Sequence, residues 1–200
     1  MNPLFSVFSL SFWLLPLLSS HNNVFVSNII DRACRTCAER SPHLSYNFCV
    51  TSLQSVPESS SADLQGLGVI AVQLAQENAT STIAKIKTLL ENEDDQRTMA
   101  SLNDCLELYS DANSTLKNSI RYFESEDYIS SNAYISAAME SASTCNSGFE
   151  EEGVVTPLTK ESDNFIQLCE IALVISKLPP SVFLYASRVI SILSHLFIQK

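Results

Sequence analysis

The chain has 200 residues and a formal net charge of −10, and its 12 lysines and arginines form no run. That balance excludes a nucleic-acid partner, because neutralising phosphates needs a basic patch. It also argues against direct binding to an anionic polysaccharide such as pectin, and it suits a basic protein partner better. Only 4 glycines and 7 prolines stand among many Ala, Leu, Ile and Ser residues, which favours helices over a turn-rich β fold and, at this length, one domain with a sizeable core.

Residues 1–20, MNPLFSVFSLSFWLLPLLSS, carry no charged side chain and end in small residues. A short apolar run ahead of a cysteine-bearing domain reads as a secretory signal peptide cut between Ser19 and Asn23, with a signal anchor as the competing reading. Secretion places the rest of the chain in an oxidising compartment. Its six cysteines are then disulfide candidates. Two sequons, at Asn78 and Asn113, fit the same route as glycosylation sites.

The mature chain starts with a small helical hairpin. Val26, Ile29, Ile30, Ala33, Cys34 and Cys37 fit one short helix, Ser41-Pro42-His43 breaks it, and Tyr46, Phe48, Cys49, Val50 and Leu53 fit a second. Cys34 and Cys49 lie symmetrically about the break, so a bridge between them would staple the hairpin at matched levels. Cys37, one turn further on the same face, is an alternative partner for Cys49.

The linker PESSSAD offers Ser61 or Asp63 as an N-cap. Leu64, Leu67, Ala71, Leu74, Ile83, Ile86 and Leu90 then mark a long helix over about 62–91. The acidic stretch Glu91 to Asp95 ends it and supplies caps for the next. From Ser101 to Cys145 two stripes follow, Leu102, Cys105, Tyr109, Ala112, Leu116, Ile120 and Phe123, then Tyr128, Ile135, Ala138, Ala142 and Cys145. They are separated by the polar Glu124-Ser125-Glu126-Asp127. Ser125 is midway between Cys105 and Cys145, so each cysteine sits roughly 30 Å along its helix from the turn. Two antiparallel helices would therefore bring both to one level and allow a bridge. Of the aromatic residues around this hairpin, Tyr128 is the best placed for an exposed contact.

Residues 146–163, NSGFEEEGVVTPLTKESD, hold Gly148, Gly153 and Pro157 without a sustained period and read as a loop. A last helix is expected from Ser162 or Asp163, with Phe165, Leu168, Ile171, Ala172, Ile175 and Leu178 on its apolar face. Four long helices with short connections give an all-α, up-down-up-down four-helix bundle with the N-terminal helical hairpin appended and disulfides as staples. Residues 179–200 form an apolar C-terminal tail in which Arg188 interrupts the run. That makes it amphipathic rather than a membrane span, and no stable membrane association is expected.

Catalytic chemistry is missing. The histidines are His21, His43 and His195, none of them in the bundle segments, so a histidine-activated nucleophile or a histidine-containing metal site is not available there. Cys34-Arg35-Thr36-Cys37 has a CxxC spacing but no second CxxC or nearby histidine to complete a zinc set. The acidic runs lack the alternating ligands and central glycine of a calcium loop. No enzyme, cofactor or metal is expected.

Cys34 through YNFCVTSL, then SADLQGLGVIAVQLA, LNDCLELYSDA, DYISSNAYISAAMESASTC and TPLTKESDNFIQL, in that order and spacing over about residues 24–178, resemble the plant invertase and pectin methylesterase inhibitor family. Within it the chain looks most like the invertase-inhibitor subgroup of the plane-tree pollen allergen. The resemblance implies bridges Cys34–Cys49 and Cys105–Cys145, with Cys169 and Cys37 as free thiols. It also implies a secreted inhibitor that occupies the active-site cleft of a carbohydrate-active enzyme, acid invertase or pectin methylesterase. Invertase-inhibiting members can present a Pro-Lys-Phe tripeptide in the turn between the second and third bundle helices. Here that turn, the expected partner contact, is Glu124-Ser125-Glu126-Asp127-Tyr128. The competing reading is a non-inhibitory secreted bundle with a structural, storage or small-ligand role.

Overall fold

The computed structural model describes residues 29–178. The expected signal peptide (1–20), its cleavage region and the tail (179–200) lie outside the described residues. Helix α1 occupies residues 29–40 and α2 spans Tyr46–Gln54, a hairpin broken at Ser41-Pro42. Ser45 caps α2 by accepting the Phe48 N–H. Cys34 and Cys49 are joined across the hairpin, with Cα atoms 5.6 Å apart. Cys37, the alternative partner, instead points away with its thiol against the Ile171 carbonyl at 4.0 Å. A surface cluster fastens the outside, where Arg35 and the Tyr46 hydroxyl both donate to Asp31 and the Arg35 guanidinium lies 5.1 Å over the Tyr46 ring.

After a 3-10 turn at Pro57–Ser60 come four long helices, α3 (Leu64–Leu90), α4 (Gln96–Glu124), α5 (Tyr128–Glu151) and α6 (Thr159–Ile175). Each packs against two others, α3 and α5 both lying between α4 and α6, which closes the up-down-up-down ring. Aspartates start the first three: Asp63, Asp95 and Asp127 accept the N–H of Gly66, Arg97 and Ser130, satisfying donors that a helix N-terminus otherwise leaves open. The core side of α3 is rich in small residues, Gly68, Ala71, Ala75 and Ala79, so α4 and α6 approach it closely.

The stripe on α4 differs from expectation at one position. Ser119, not Ile120, is fully buried, and Ile120 only flanks the core. Ser119 fits because its hydroxyl donates to the Leu116 carbonyl at 2.8 Å while its own carbonyl accepts from Ser131 of α5 at 3.1 Å. A small hydrogen-bonded residue lets α4 and α5 close near their turn. Cys105 and Cys145 are bridged at the far end of this pair, with Cα atoms 4.9 Å apart.

The expected loop over 146–163 is wrong at both ends. Helix α5 continues to Glu151 and α6 starts at Thr159, leaving residues 152–158 as the connection. Phe149 lies four residues beyond Cys145 on the same face and is fully buried. That burial outweighs the roughly 1 kcal/mol cost of a glycine inside a helix, here Gly148. Ser162, expected at the start of the last helix, lies inside it as a buried relay: Tyr109 donates to it at 3.0 Å and it donates to Asn146 at 2.9 Å, joining α4, α6 and α5. Lys85 of α3 closes this end by bonding the Pro157 carbonyl at 2.9 Å and Glu161 at 2.8 Å.

Candidate partner-binding surface

The turn between α4 and α5 needs only residues 125–127 to reverse the chain. At the end of α4, the Glu126 N–H bonds the Phe123 carbonyl at 3.1 Å and the Asp127 N–H bonds the Tyr122 carbonyl at 2.9 Å. These are the two bonds of a Schellman motif, which places the residue after the cap in the left-handed region. That residue is Glu126, with φ 61°, where glycine is the usual choice. Asp127 serves both helices, closing α4 with its backbone N–H and capping α5 through its carboxylate. The Ser130 hydroxyl and N–H hydrogen bonds to that carboxylate hold it below the ordinary aspartate value.

Behind the turn the packing is tight. Phe123 is fully buried and packs edge-on against Tyr128, with ring centroids 5.3 Å apart. Its ring lies on the backbone of α3 at Gly68, where an added Cβ would come within 2.1 Å of Phe123 Cζ and 3.1 Å of Ile175. Only glycine admits that ring. The Gln65 carboxamide donates to the carbonyls of Phe123 and Glu124, both at 3.2 Å, tying the turn to the first turn of α3.

Of the residues expected to meet a partner, Glu124, Ser125, Glu126 and Asp127 are exposed and lie together. Tyr128 departs from expectation as the exposed contact. It is half-buried on Phe123, and desolvation, followed by the charges of Glu126 and Asp63, pushes its phenol above the ordinary value. The exposed apolar side chain is its neighbour Ile129, at 86% exposure. The sequence signal for Ile129 was an apolar residue one position off the α5 stripe. Nearby, Tyr122 and Tyr134 stack on the surface with centroids 5.3 Å apart and planes 12° from parallel. A groove of about 390 Å³ runs beside the turn, lined by Glu58, Ala62, Asp63, Gln65, Gly66, Val69, Ile70 and Glu124.

The remaining singled-out residues lie elsewhere. Cys37 and Cys169 are buried free thiols, and desolvation pushes the Cys37 thiol up to about 12 and the Cys169 thiol higher still. A thiol so shifted holds almost no thiolate at neutral pH and is chemically quiet. Asn78 and Asn113 are both half-buried on helices, α3 and α4. The Asn113 side-chain oxygen is buried without a hydrogen-bond partner. Among the described residues no three His, Cys, Asp or Glu side chains are grouped to hold a metal ion, and no helix is long and apolar enough to cross a membrane.

A family model, Plant invertase/pectin methylesterase inhibitor, matches residues 28–175, essentially the whole described region. The chain belongs to the plant invertase/pectin methylesterase inhibitor family. Members of this family inhibit enzymes and are not themselves enzymes, so a protein is the expected class of partner. The chain is 41% identical over 172 residues to "Putative invertase inhibitor" of Platanus acerifolia, covering 86% of this chain and 96% of that protein. It is 36% identical over 135 residues to "Pectinesterase inhibitor" of Actinidia deliciosa, covering 67% and 73%. Its fold is similar to the crystal structure of a mutant form of a pectin methylesterase inhibitor from Arabidopsis, with TM-score 0.60, 29% identity, and coverage of 67% of this chain and 90% of that one.

Proposed function

We propose that this protein is secreted to the plant cell wall or delivered to the vacuole, and that it blocks acid invertase or pectin methylesterase there by setting the 124–128 turn against the enzyme. The carrying observation is the turn itself. Its four exposed residues are held by two backbone bonds to α4, a cap to α5 and two bonds from Gln65. A loop fixed before binding loses little conformational entropy on docking, and that favours affinity. The signal peptide (1–20), the oxidised cysteine pairs and carbohydrate at Asn78 and Asn113 belong to the same secretory reading. So does the quietness of Cys37 and Cys169, which keeps the two bridges from reshuffling.

The test is a parallel titration of the purified, oxidised protein lacking residues 1–20 against one acid invertase and one pectin methylesterase, at about pH 4.5 and about pH 6.5. A stoichiometric, saturable loss of one activity is expected and identifies the target. Full activity of both enzymes at saturating protein would overturn the reading and leave a non-inhibitory secreted bundle.

A further inference from the structure

The groove beside the turn has a floor and a rim of different character. Ala62, Val69 and Ile70 give it an aliphatic floor, while Glu58, Asp63 and Glu124 bring three carboxylates to it, and among the described residues no cation lines it. These acids come from three separate elements, the 3-10 turn, the α3 cap and the end of α4. One oxygen of Asp63 is committed to the Gly66 N–H at 2.8 Å. Neither Glu58 nor Glu124 is in an ion pair within the described residues. The walls are set in advance, because Gln65 bonds the Glu124 carbonyl across the gap. The ion pairs among the described residues, Asp31 with Arg35, Asp95 with Arg97 and Glu161 with Lys85, all involve other acids. The groove thus joins three carboxylates without a cation partner among the described residues to an apolar floor.

A long side chain with an aliphatic stem and a cationic head matches that arrangement in shape and in charge. We propose that the groove receives a lysine or arginine side chain of the protein partner, stem on Ala62, Val69 and Ile70 and head between Glu58, Asp63 and Glu124. This rests on the reading that the chain works by binding a protein, and it makes the groove a second contact beside the turn. An acidic groove would also accelerate encounter with a basic surface, an effect that salt screens.

Two arms test it separately. In the first, the ¹⁵N-labelled protein is titrated with the peptides Ala-Arg-Ala, Ala-Lys-Ala, Ala-Leu-Ala and Ala-Glu-Ala, with ends blocked. Saturable amide shifts confined to residues 58–70 and 124 are expected with the two basic peptides only, and they should disappear in Glu58→Gln/Glu124→Gln. Absence of saturable shifts, or equal shifts with the leucine peptide, overturns the proposal. In the second arm, the same double variant and a control pair at the far end, Glu150→Gln/Glu151→Gln, are compared as inhibitors at low and high salt. The groove pair should raise the inhibition constant by about tenfold with a flatter salt dependence, and the control by under about twofold. If basic peptides bind but the wild-type protein inhibits neither enzyme, the groove stands and the inhibitor reading falls. If the wild type inhibits and the groove pair does not alter it, the groove is not part of the inhibitory contact and the proposal falls instead.

Discussion

Helices α4 and α5 end in the same backbone motif, and the two ends differ in every residue that the motif cares about. After α5, Gly153 takes the left-handed position at φ 66°, the Val154 N–H bonds the Phe149 carbonyl, and Val154 packs on the core that holds Phe149. After α4 the same positions hold Glu126 and Asp127, both exposed. The first version has glycine and an apolar lock, as expected of an end built for stability. The second accepts a strained non-glycine residue and places charge where the lock would be. Backbone strain of this kind persists where surrounding structure over-determines it, and it gathers at sites of function. Here Gln65, Gly68 and Phe123 supply that support. The two ends of one bundle thus separate holding together from display.

The largest expected effects come from the staples. Replacing Cys105 and Cys145 by serine opens a loop of 40 residues and should cost about 4 kcal/mol, against about 3 kcal/mol for the 15-residue span of Cys34 and Cys49. Thermal or urea unfolding of the two double variants checks the order. If the far end only holds the fold, the Cys105/Cys145 variant should still inhibit at temperatures where it stays folded. Loss of inhibition in folded protein would mean that the two ends are not separable.

Next in size is Gly68→Ala. Its methyl group would meet the Phe123 ring, which is packed between α3 and Tyr128 and has nowhere to go without moving α4. Overpacking of this kind costs about 1–3 kcal/mol. Because Phe123 precedes the turn, the variant should lose inhibition out of proportion to its stability. Gly148→Ala is the control, since nothing lies within 4 Å of the added carbon there. It should be neutral or slightly stabilising, as alanine suits a helix better.

A reciprocal exchange at the two left-handed positions is subtler. Left-handed backbone costs a non-glycine residue about 1–2 kcal/mol, while glycine loses about 0.4–1 kcal/mol through its freer unfolded chain. Glu126→Gly should therefore stabilise by under about 1 kcal/mol and Gly153→Ala should destabilise by a similar amount. The informative readout is the pairing of stability with function: Glu126→Gly should be more stable and a weaker inhibitor, Gly153→Ala less stable and unaltered as an inhibitor. A more stable Glu126→Gly that inhibits as well as wild type would show that the strain serves no contact.

Much of this architecture was legible in the sequence because it rests on period and symmetry. The extent of α3, the stripes on α4 and α6, the break at residues 124–127 and the placing of Cys105 and Cys145 about Ser125 each follow from helical geometry, although Leu64, Leu74, Ile83 and Leu90 of the α3 stripe only flank the core. What escaped was set by tertiary contact. Gly148 looked like a helix breaker until the burial of Phe149 carried α5 past it. Ser119 displaced Ile120 from the core because a neighbouring helix supplied a hydroxyl partner. Tyr128 turned inward because Phe123, held by Gly68, offered it a ring, and that left Ile129 outside. The groove unites residues more than fifty positions apart, Glu58 with Glu124, and no local pattern announces it.

The smallest effect concerns the residue that joins the display turn to α5. Asp127 is held below its ordinary value by its bonds from Ser130, so the folded protein keeps this carboxylate charged at a pH where the unfolded chain has begun to protonate it. A group with a depressed folded value contributes stability that is fully present above the unfolded value, near 3.8, and that is lost as pH falls through the folded one. Asp127→Asn keeps an oxygen to accept the Ser130 N–H but has no proton to take up. Its melting temperature should lie close to wild type at neutral pH and should fall less steeply below about pH 4. Asp31 in the N-terminal hairpin, lowered by Arg35 and Tyr46, titrates in the same direction, so Asp31→Asn is the matched comparison away from the turn. If inhibition by Asp127→Asn at about pH 6.5 matches wild type while its acid limb is flattened, Asp127 holds the turn in place. If inhibition drops with no change in melting, its charge meets the enzyme directly.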